Sequence, residues 1–136
     1  MKYFLAKTDP GSYTIGQLKT DKKTTWDGVT NAQAVRAIRD MRPGDRIFVY
    51  HSGGESAIVG LAQVVSEPRA DPKNPKSAVV DLQFAGLLQP PISLPEIKQS
   101  HLFDDWALVR QSRLSTMAVP ESFVIWMRTK YPSAKL

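Results

Sequence analysis

The chain has 136 residues, 42% of them hydrophobic, which is enough for one sizeable core, so we predict a single domain over residues 1–136. It contains no cysteine and no apolar run near the roughly 20 residues that cross a bilayer, which excludes disulfides, thiolate chemistry and a membrane span, and favours a cytoplasmic protein. The net charge of +5 modestly favours nucleic acid as the partner, because it attracts polyanions and no basic amphipathic helix for a membrane surface is visible.

Hydrophobic periodicity and turn residues predict mixed strands and helices along the whole chain. The first half indicates a buried strand at 3–6, a capped short helix through Leu18, a polar surface loop at 19–25, a clear helix at 31–41, and strands at 46–50 and 57–65. The second half indicates an exposed connection at 68–76, a strand at 77–87 ended by Pro90-Pro91, short helical turns at 94–98 and 102–110, a brief strand at 114–119 and a helix at 121–131.

These elements predict an α+β fold with a barrel-like sheet, because no regular βαβ rhythm is present. The strand at 57–65 is almost continuously apolar, so both of its faces are covered or it curves around a barrel. Gly60 in its middle predicts a bend or a close backbone approach.

The sequence offers little that is typical of catalysis. Its two histidines, His51 and His101, are not in a metal-ligand spacing, and no glycine-rich phosphate loop is present. A serine triad using Ser52 and His51 is disfavoured, since neighbouring strand residues point to opposite faces. We therefore expect no metal, no cofactor and no enzymatic activity.

Polar and aromatic residues instead collect where predicted strands and helices begin or end, and they carry a family resemblance. The ordered motifs are KTDP at 7–10, WDGVTNAQA at 26–34, YHS at 50–52, IVGLA at 58–62 and SRLS at 112–115. In this order and spacing they resemble the EVE domain of the wider PUA-like superfamily, which is also found in the thymocyte nuclear protein family. Each motif alone is weak, but the series covers nearly the whole chain.

The resemblance implies a PUA-like pseudo-barrel with flanking helices and a cleft between the sheet and the main helix. It also implies that the cleft holds a modified base of DNA or RNA. The ligand-binding residues carried over with it are Lys7, Trp26, Asn31, Tyr50, His51, Ser52, Arg113, Leu114 and Ser115.

The chemistry of these residue types agrees with a base-binding site. Trp26 can stack on a base, while Asn31, Ser52 and Ser115 can hydrogen-bond to its edge. Lys7 and Arg113 can neutralise a neighbouring phosphate.

Several of these residues also have a purely structural interpretation, which the sequence leaves open. The alternatives are core packing for Trp26 and Tyr50, an N-cap for Asn31, a hydrogen-bonded strand end for His51, and an ion pair with Asp104 or Asp105 for Arg113.

The main hypothesis is therefore a non-enzymatic domain that recognises methylated or hydroxymethylated cytosine, or a modified adenine, in nucleic acid. Two other functions remain as alternatives. One is an enzyme acting on nucleosides or nucleic acid with His51 as its base. The other is a domain that binds a small metabolite, a nucleoside or a protein.

Overall fold

The computed structural model describes residues 1–53, 56–134 and 136. The elements in chain order are β1 (Tyr3–Thr8), α1 (Ile15–Asp21), β2 (Lys23–Trp26), α2 (Ala32–Asp40), β3 (Arg46–His51), β4 (Ala57–Val64), β5 (Arg69–Asp71), β6 (Asn74–Ser93), α3 (Leu94–Gln99), α4 (Ala107–Arg110), β7 (Thr116–Ala118) and α5 (Glu121–Lys130). None of the helices in these ranges is long and apolar enough to cross a membrane.

The strands form a mixed sheet in the order β2-β6-β4-β3-β1-β7, with β5 paired to β6. β1 and β3 are parallel, and the other pairs are antiparallel. Because β3 and β4 lie in the middle of this order, almost all of their residues are buried. The sheet curls into a half-barrel with helices around it, which confirms the predicted α+β, PUA-like pseudo-barrel.

β4 bends where Gly60 approaches the neighbouring strand. The pairing register between β4 and β6 shifts on both sides of this residue. A Cβ at position 60 would lie 2.8 Å from the carbonyl oxygen of Gly86 and 2.7 Å from the side chain of Ile15. Glycine is therefore required by close packing, and the predicted bend or close approach is confirmed.

Three sequence predictions are corrected by long-range strand pairing. Residues 19–25 are not a loop: α1 runs to Asp21, and β2 follows at the end of the strand order, paired with β6. An edge strand tolerates polar residues, because one of its sides faces solvent, and this is why the segment lacked an apolar signal.

The second and third corrections concern β6, which starts earlier and ends later than predicted. Within residues 68–76, β5 and the start of β6 form a hairpin, with the backbone N–H of Lys73 bonded to Asp71. Pro90-Pro91 does not end the strand, since pairing passes from Leu87 opposite Gly60 to Ile92 opposite Ile58. The prolines occupy the bulge between those pairs, where a missing N–H costs no ladder bond.

An aromatic cluster joins α5 to the sheet and to the segment before β7. Phe123 is fully buried and contacts Phe48, Phe103, Trp106 and Trp126, with ring centroids 4.6 to 5.7 Å apart. The indole N–H of Trp106 donates to the carbonyl of Ala118 at 3.0 Å, so this buried polar group is satisfied. The cluster fixes β7 beside β1, which positions one wall of the site described next.

Candidate nucleic-acid interface

An open cleft with a volume of about 630 Å³ lies at the end of β1 where the chain leaves the sheet. Its walls are the turn between β1 and α1, the end of β2, the loop before α2, and the segment before β7. Five of the nine predicted site residues line it: Lys7, Trp26, Asn31, Arg113 and Ser115.

The cleft exists because the sheet is curled. β2 lies at one end of the strand order, and β1 with β7 lies at the other, yet residues from both ends line the same space. Trp26 on β2 therefore faces Lys7 on β1 across the mouth of the half-barrel. The loop at 27–31 bridges the two sides, and it is held to β6 by a hydrogen bond from Ser77 Oγ to the carbonyl of Val29.

Trp26 is the aromatic wall of the cleft. It is the last residue of β2, opposite Val80 on β6, and is half-buried. Part of the indole packs against the core, and the side chain also lines the cleft. The two alternatives for this tryptophan, core packing and a place in the cleft, therefore do not exclude each other. Next to it, Gly28 has φ +74°, a left-handed conformation that glycine adopts without strain and that turns the chain away from β2.

The side-chain oxygen of Asn31 caps the helix α2. Its Oδ1 accepts hydrogen bonds from the backbone N–H groups of Gln33 at 2.9 Å and Ala34 at 3.1 Å. The predicted N-cap of α2 is thereby confirmed. Because the oxygen is engaged, the Nδ2 hydrogens are the part of this amide that can serve a ligand, and Asn31 is available as a donor rather than as an acceptor.

Lys7 is held in place at the base of the cleft. Its Nζ donates to the carbonyl of Ser112 at 3.1 Å and lies 5.4 Å from the centroid of the Tyr50 ring. Burial lowers the pKa of Lys7 from its ordinary value of 10.5. Its backbone N–H is bonded to the carbonyl of Ser115 at 2.7 Å, which ties the segment before β7 to β1.

The turn after β1 is ordered by its own polar groups. Thr8 Oγ1 donates to the carbonyl of Tyr13, and the carbonyl of Asp9 accepts from the backbone N–H groups of Ser12 and Tyr13. The Tyr13 hydroxyl donates to Asp21 at 2.8 Å, and burial together with that carboxylate raises the pKa of Tyr13. This turn therefore forms a second wall with an aromatic ring, opposite the segment before β7.

The charges of the cleft are mixed. Lys7 and Arg113 are cationic, and the exposed carboxylates of Asp9 and Asp27 lie on the same lining. The structural alternative for Arg113, an ion pair with Asp104 or Asp105, is not present in the described residues: Asp105 pairs with Arg110 at 2.9 Å, and Asp104 lies 3.5 Å from His101. Arg113 is exposed at the cleft instead.

The other four predicted site residues do not line the cleft. Tyr50 and Leu114 are 3% exposed and belong to the core, although Tyr50 supports the ammonium group of Lys7. His51 is 7% exposed, and its Nε2 accepts the backbone N–H of Ile15 at 3.0 Å, as in the structural interpretation. Ser52 bonds through its backbone N–H and its hydroxyl to the carbonyl of Thr8. Tyr50 and His51 lie on β3 beside β1, and Leu114 lies in the segment before β7, so these residues pack next to the cleft without lining it.

Sequence reasoning missed several residues of the lining. Those not predicted as site residues include Tyr13, Thr24, Asp27 and Thr30. Asp27 and Thr30 lie within the motif that contains Trp26, so the motif itself was the available signal. Tyr13 reaches the lining through the turn between β1 and α1, and Thr24 lies on β2, in a segment that was predicted as a loop.

Two other features of the described residues bear on ligands. A second cleft of about 560 Å³ lies at the opposite end of β1, beside Tyr3 and Arg128, and brings together none of the predicted site residues. Within 1–53, 56–134 and 136, no group of three or more histidine, aspartate or glutamate side chains is arranged to hold a metal ion.

Comparisons with known proteins agree with this architecture. Thymocyte nuclear protein 1 of Homo sapiens is 31% identical over 170 aligned positions, which cover 96% of this chain and 76% of that protein. The chain spans 56% of the length of the Rattus norvegicus relative. Among solved structures, a protein of Agrobacterium tumefaciens matches with a TM-score of 0.91 and 27% identity, covering 100% of this chain and 97% of the other.

A further solved structure is the human THYN1 protein in complex with DNA that contains 5-methylcytosine. It matches with a TM-score of 0.82 and 27% identity over 93% of this chain and 97% of that one. The sequence model of the EVE domain matches residues 2–129. With the half-barrel, the ordered motifs and these relatives in agreement, the chain belongs to the EVE domain family.

Proposed function

We propose that this protein binds nucleic acid without covalent chemistry and holds one modified base in the cleft beside Trp26. The observation that carries the proposal is that the half-buried indole shares an open cleft with fixed polar groups from both ends of the sheet. A volume of about 630 Å³ lies within the range of small-ligand pockets, which is roughly 300–1,000 Å³. The solved complex of the human relative with 5-methylcytosine DNA supports the same class of ligand.

The polar groups of the cleft suit a base that carries an amino group. Cytosine presents its exocyclic amine as a donor, and carboxylates are the side chains that accept from it. Asp9 and Asp27 supply carboxylates, while the Nδ2 hydrogens of Asn31 supply a donor for a ring nitrogen or a carbonyl oxygen. Such a combination favours modified cytosine or adenine over thymine, which has no amino group.

The cationic side chains of the cleft are placed to contact the phosphate of the same nucleotide. Lys7 is fixed through the carbonyl of Ser112, and Arg113 is exposed nearby, so both can contact a phosphate without a large rearrangement. Ser115 contributes a hydroxyl beside them.

His51 is poorly placed for the alternative of an enzyme. Its Nε2 already accepts a backbone hydrogen bond from Ile15, and the ring is 7% exposed. A general base needs a free nitrogen within reach of the substrate proton. We therefore favour binding without turnover.

The test is an affinity measurement with matched oligonucleotides that carry cytosine or 5-methylcytosine, in DNA and in RNA. Base stacking on an aromatic side chain contributes about 1–3 kcal/mol, so Trp26→Leu is expected to weaken binding by roughly 5- to 150-fold. Trp26→Phe keeps an aromatic face and should retain most of the affinity.

Wild-type protein that binds no oligonucleotide, or that binds both forms equally, contradicts the proposal. So does equal affinity of the leucine and phenylalanine variants, because it shows that stacking is not used. Binding of a free nucleoside without any oligonucleotide binding points to the alternative of a small-molecule domain.

A further inference from the structure

Three exposed cations, which we call the basic patch, lie beside the cleft: Arg39 on α2, Lys73 in the β5–β6 turn, and Lys76 on β6. Nη2 of Arg39 donates to the carbonyl of Lys76 at 3.3 Å, which joins the helix to the hairpin. No carboxylate of the described part of the chain lies within ion-pair distance of any of the three. Within the described residues, the three cations are therefore not engaged in ion pairs.

Two further arginines border the patch. Arg42 and Arg69 line the same shallow groove as Arg39, and they pair with Glu67 at 3.8 Å and Asp81 at 3.0 Å. Ion pairs this exposed are weak, so a phosphate can replace the carboxylate partner.

The patch is continuous with the rim of the cleft. Ser77 lines the groove of the patch, Val29 lines the cleft, and the hydroxyl of Ser77 donates to the carbonyl of Val29. Trp26 is opposite Val80, and Lys76 lies four residues earlier on β6, which corresponds to about 13 Å at roughly 3.3 Å per residue. A strand of a few nucleotides is long enough to cover this distance, since even stacked B-form DNA advances about 3.4 Å per nucleotide.

We propose that the basic patch binds the phosphate backbone a few nucleotides away from the base that occupies the cleft. The inference rests on the proposed function, because it takes the strand that enters the cleft as the ligand. Lysine ammonium groups are mobile point charges that bind phosphate without reading sequence. The cleft therefore discriminates between bases, and the patch supplies affinity that depends on salt and on strand length.

The test compares two triple variants that remove the same charge. The patch variant carries Arg39→Gln, Lys73→Gln and Lys76→Gln. The control variant carries Lys98→Gln, Arg128→Gln and Lys130→Gln on α3 and α5, around the end of β6 distant from the hairpin. The ligands are a single-stranded DNA of about twelve nucleotides with one central 5-methylcytosine, its unmethylated counterpart, and the two free mononucleotides.

Each phosphate contact to a single strand adds about 0.7 to the slope of log affinity against log salt, so the patch variant should lose about 2 units of slope. At about 0.1 M salt, the patch variant should therefore bind the twelve-nucleotide strand roughly 100-fold more weakly than the wild type does. Mononucleotide binding by the patch variant and both measurements on the control variant should remain at wild-type values.

The outcomes separate the two proposals. An unchanged slope in the patch variant, an equal loss in the control variant, or a parallel loss of mononucleotide binding overturns the role of the patch and leaves the cleft proposal intact. A second outcome is that the slope falls in the patch variant, but the wild type binds methylated and unmethylated ligands equally. This result overturns recognition of the modified base and still supports the role of the patch.

Discussion

Lys7 illustrates how a single side chain links burial to binding. Its pKa is lowered from 10.5 because burial penalises the charged form, and only the charged form attracts a phosphate. The affinity for an oligonucleotide is therefore expected to stay constant at lower pH and to fall as the pH rises through the lowered pKa. This fall begins below pH 10.5.

The Lys7→Arg variant tests that expectation, because a guanidinium stays protonated throughout this range. Oligonucleotide affinity measured from pH 7 upwards should begin to fall at lower pH for the wild type than for the variant, and the difference isolates residue 7. Tyr13, the other titrating residue of the cleft, has a raised pKa and so ionises later than an ordinary tyrosine. Identical pH profiles for the two proteins would show that Lys7 does not contact the phosphate.

Substitutions of Asn31 can distinguish its role as the N-cap of α2 from its proposed hydrogen bond to the base. Serine is as good an N-cap as asparagine but lacks the amide hydrogens, so Asn31→Ser should keep the stability of α2. It should weaken binding of the modified base by about 2- to 10-fold, which corresponds to one hydrogen bond of roughly 0.5–1.5 kcal/mol. Asn31→Ala should lose both the helix cap and the hydrogen bond to the base, and its free energy of unfolding should fall by about 1 kcal/mol.

Urea denaturation and oligonucleotide titration of the two variants provide the measurement. If Asn31→Ser binds as tightly as the wild type, Asn31 acts only as the cap of α2.

The helix α1 packs closely on β4 and β6 because Gly60 has no Cβ. A Cβ at Gly60 would clash with Ile15, the first residue of α1, and with the backbone of β6. Gly60→Ala should therefore destabilise the fold by about 1–3 kcal/mol, as overpacking does, and should also weaken binding, because α1 follows the turn that lines the cleft.

Gly86→Ala is the matched control, since a Cβ there meets no atom within 4 Å. Its free energy of unfolding should stay within about 1 kcal/mol of the wild type. Equal losses in the two variants would show that glycine content, and not the close approach at position 60, sets the stability of this region.

Elements whose burial follows from their own pattern were predicted closely. β3 and β4 were expected at 46–50 and 57–65, and they occur at Arg46–His51 and Ala57–Val64. β2 was missed, because its exposed residues alternate with half-buried ones and its ladder to β6 spans more than fifty positions. A local window does not contain the partner that makes such a segment a strand.

At the scale of the whole molecule, the cleft spans the fold from Lys7 to Ser115. Binding at such a site stabilises every element that forms it, because the unfolded chain has no cleft. We therefore propose that residues 1–136 unfold as one cooperative unit. Tryptophan fluorescence and far-ultraviolet circular dichroism should give one midpoint in urea.

Both midpoints should rise together when a modified oligonucleotide is added. A ligand present at one hundred times its dissociation constant adds about 2.7 kcal/mol to the free energy of unfolding. Separate transitions for the two probes, or a shift in only one of them, would contradict a single unit.

Local sequence patterns were sufficient to predict the main core strands, the helix that begins after Asn31, the close approach at Gly60 and the family, because each depends on local periodicity, on a cap or on ordered motifs. Which polar residues share the cleft depends on the three-dimensional fold. His51 and Ser52 resemble site residues in the sequence, but they bond to the backbone behind the cleft. Lys7 and Ser115 share one cleft with Trp26 only when the sheet curls and its two ends meet. That meeting depends on contacts between residues far apart in the chain, which no local pattern encodes.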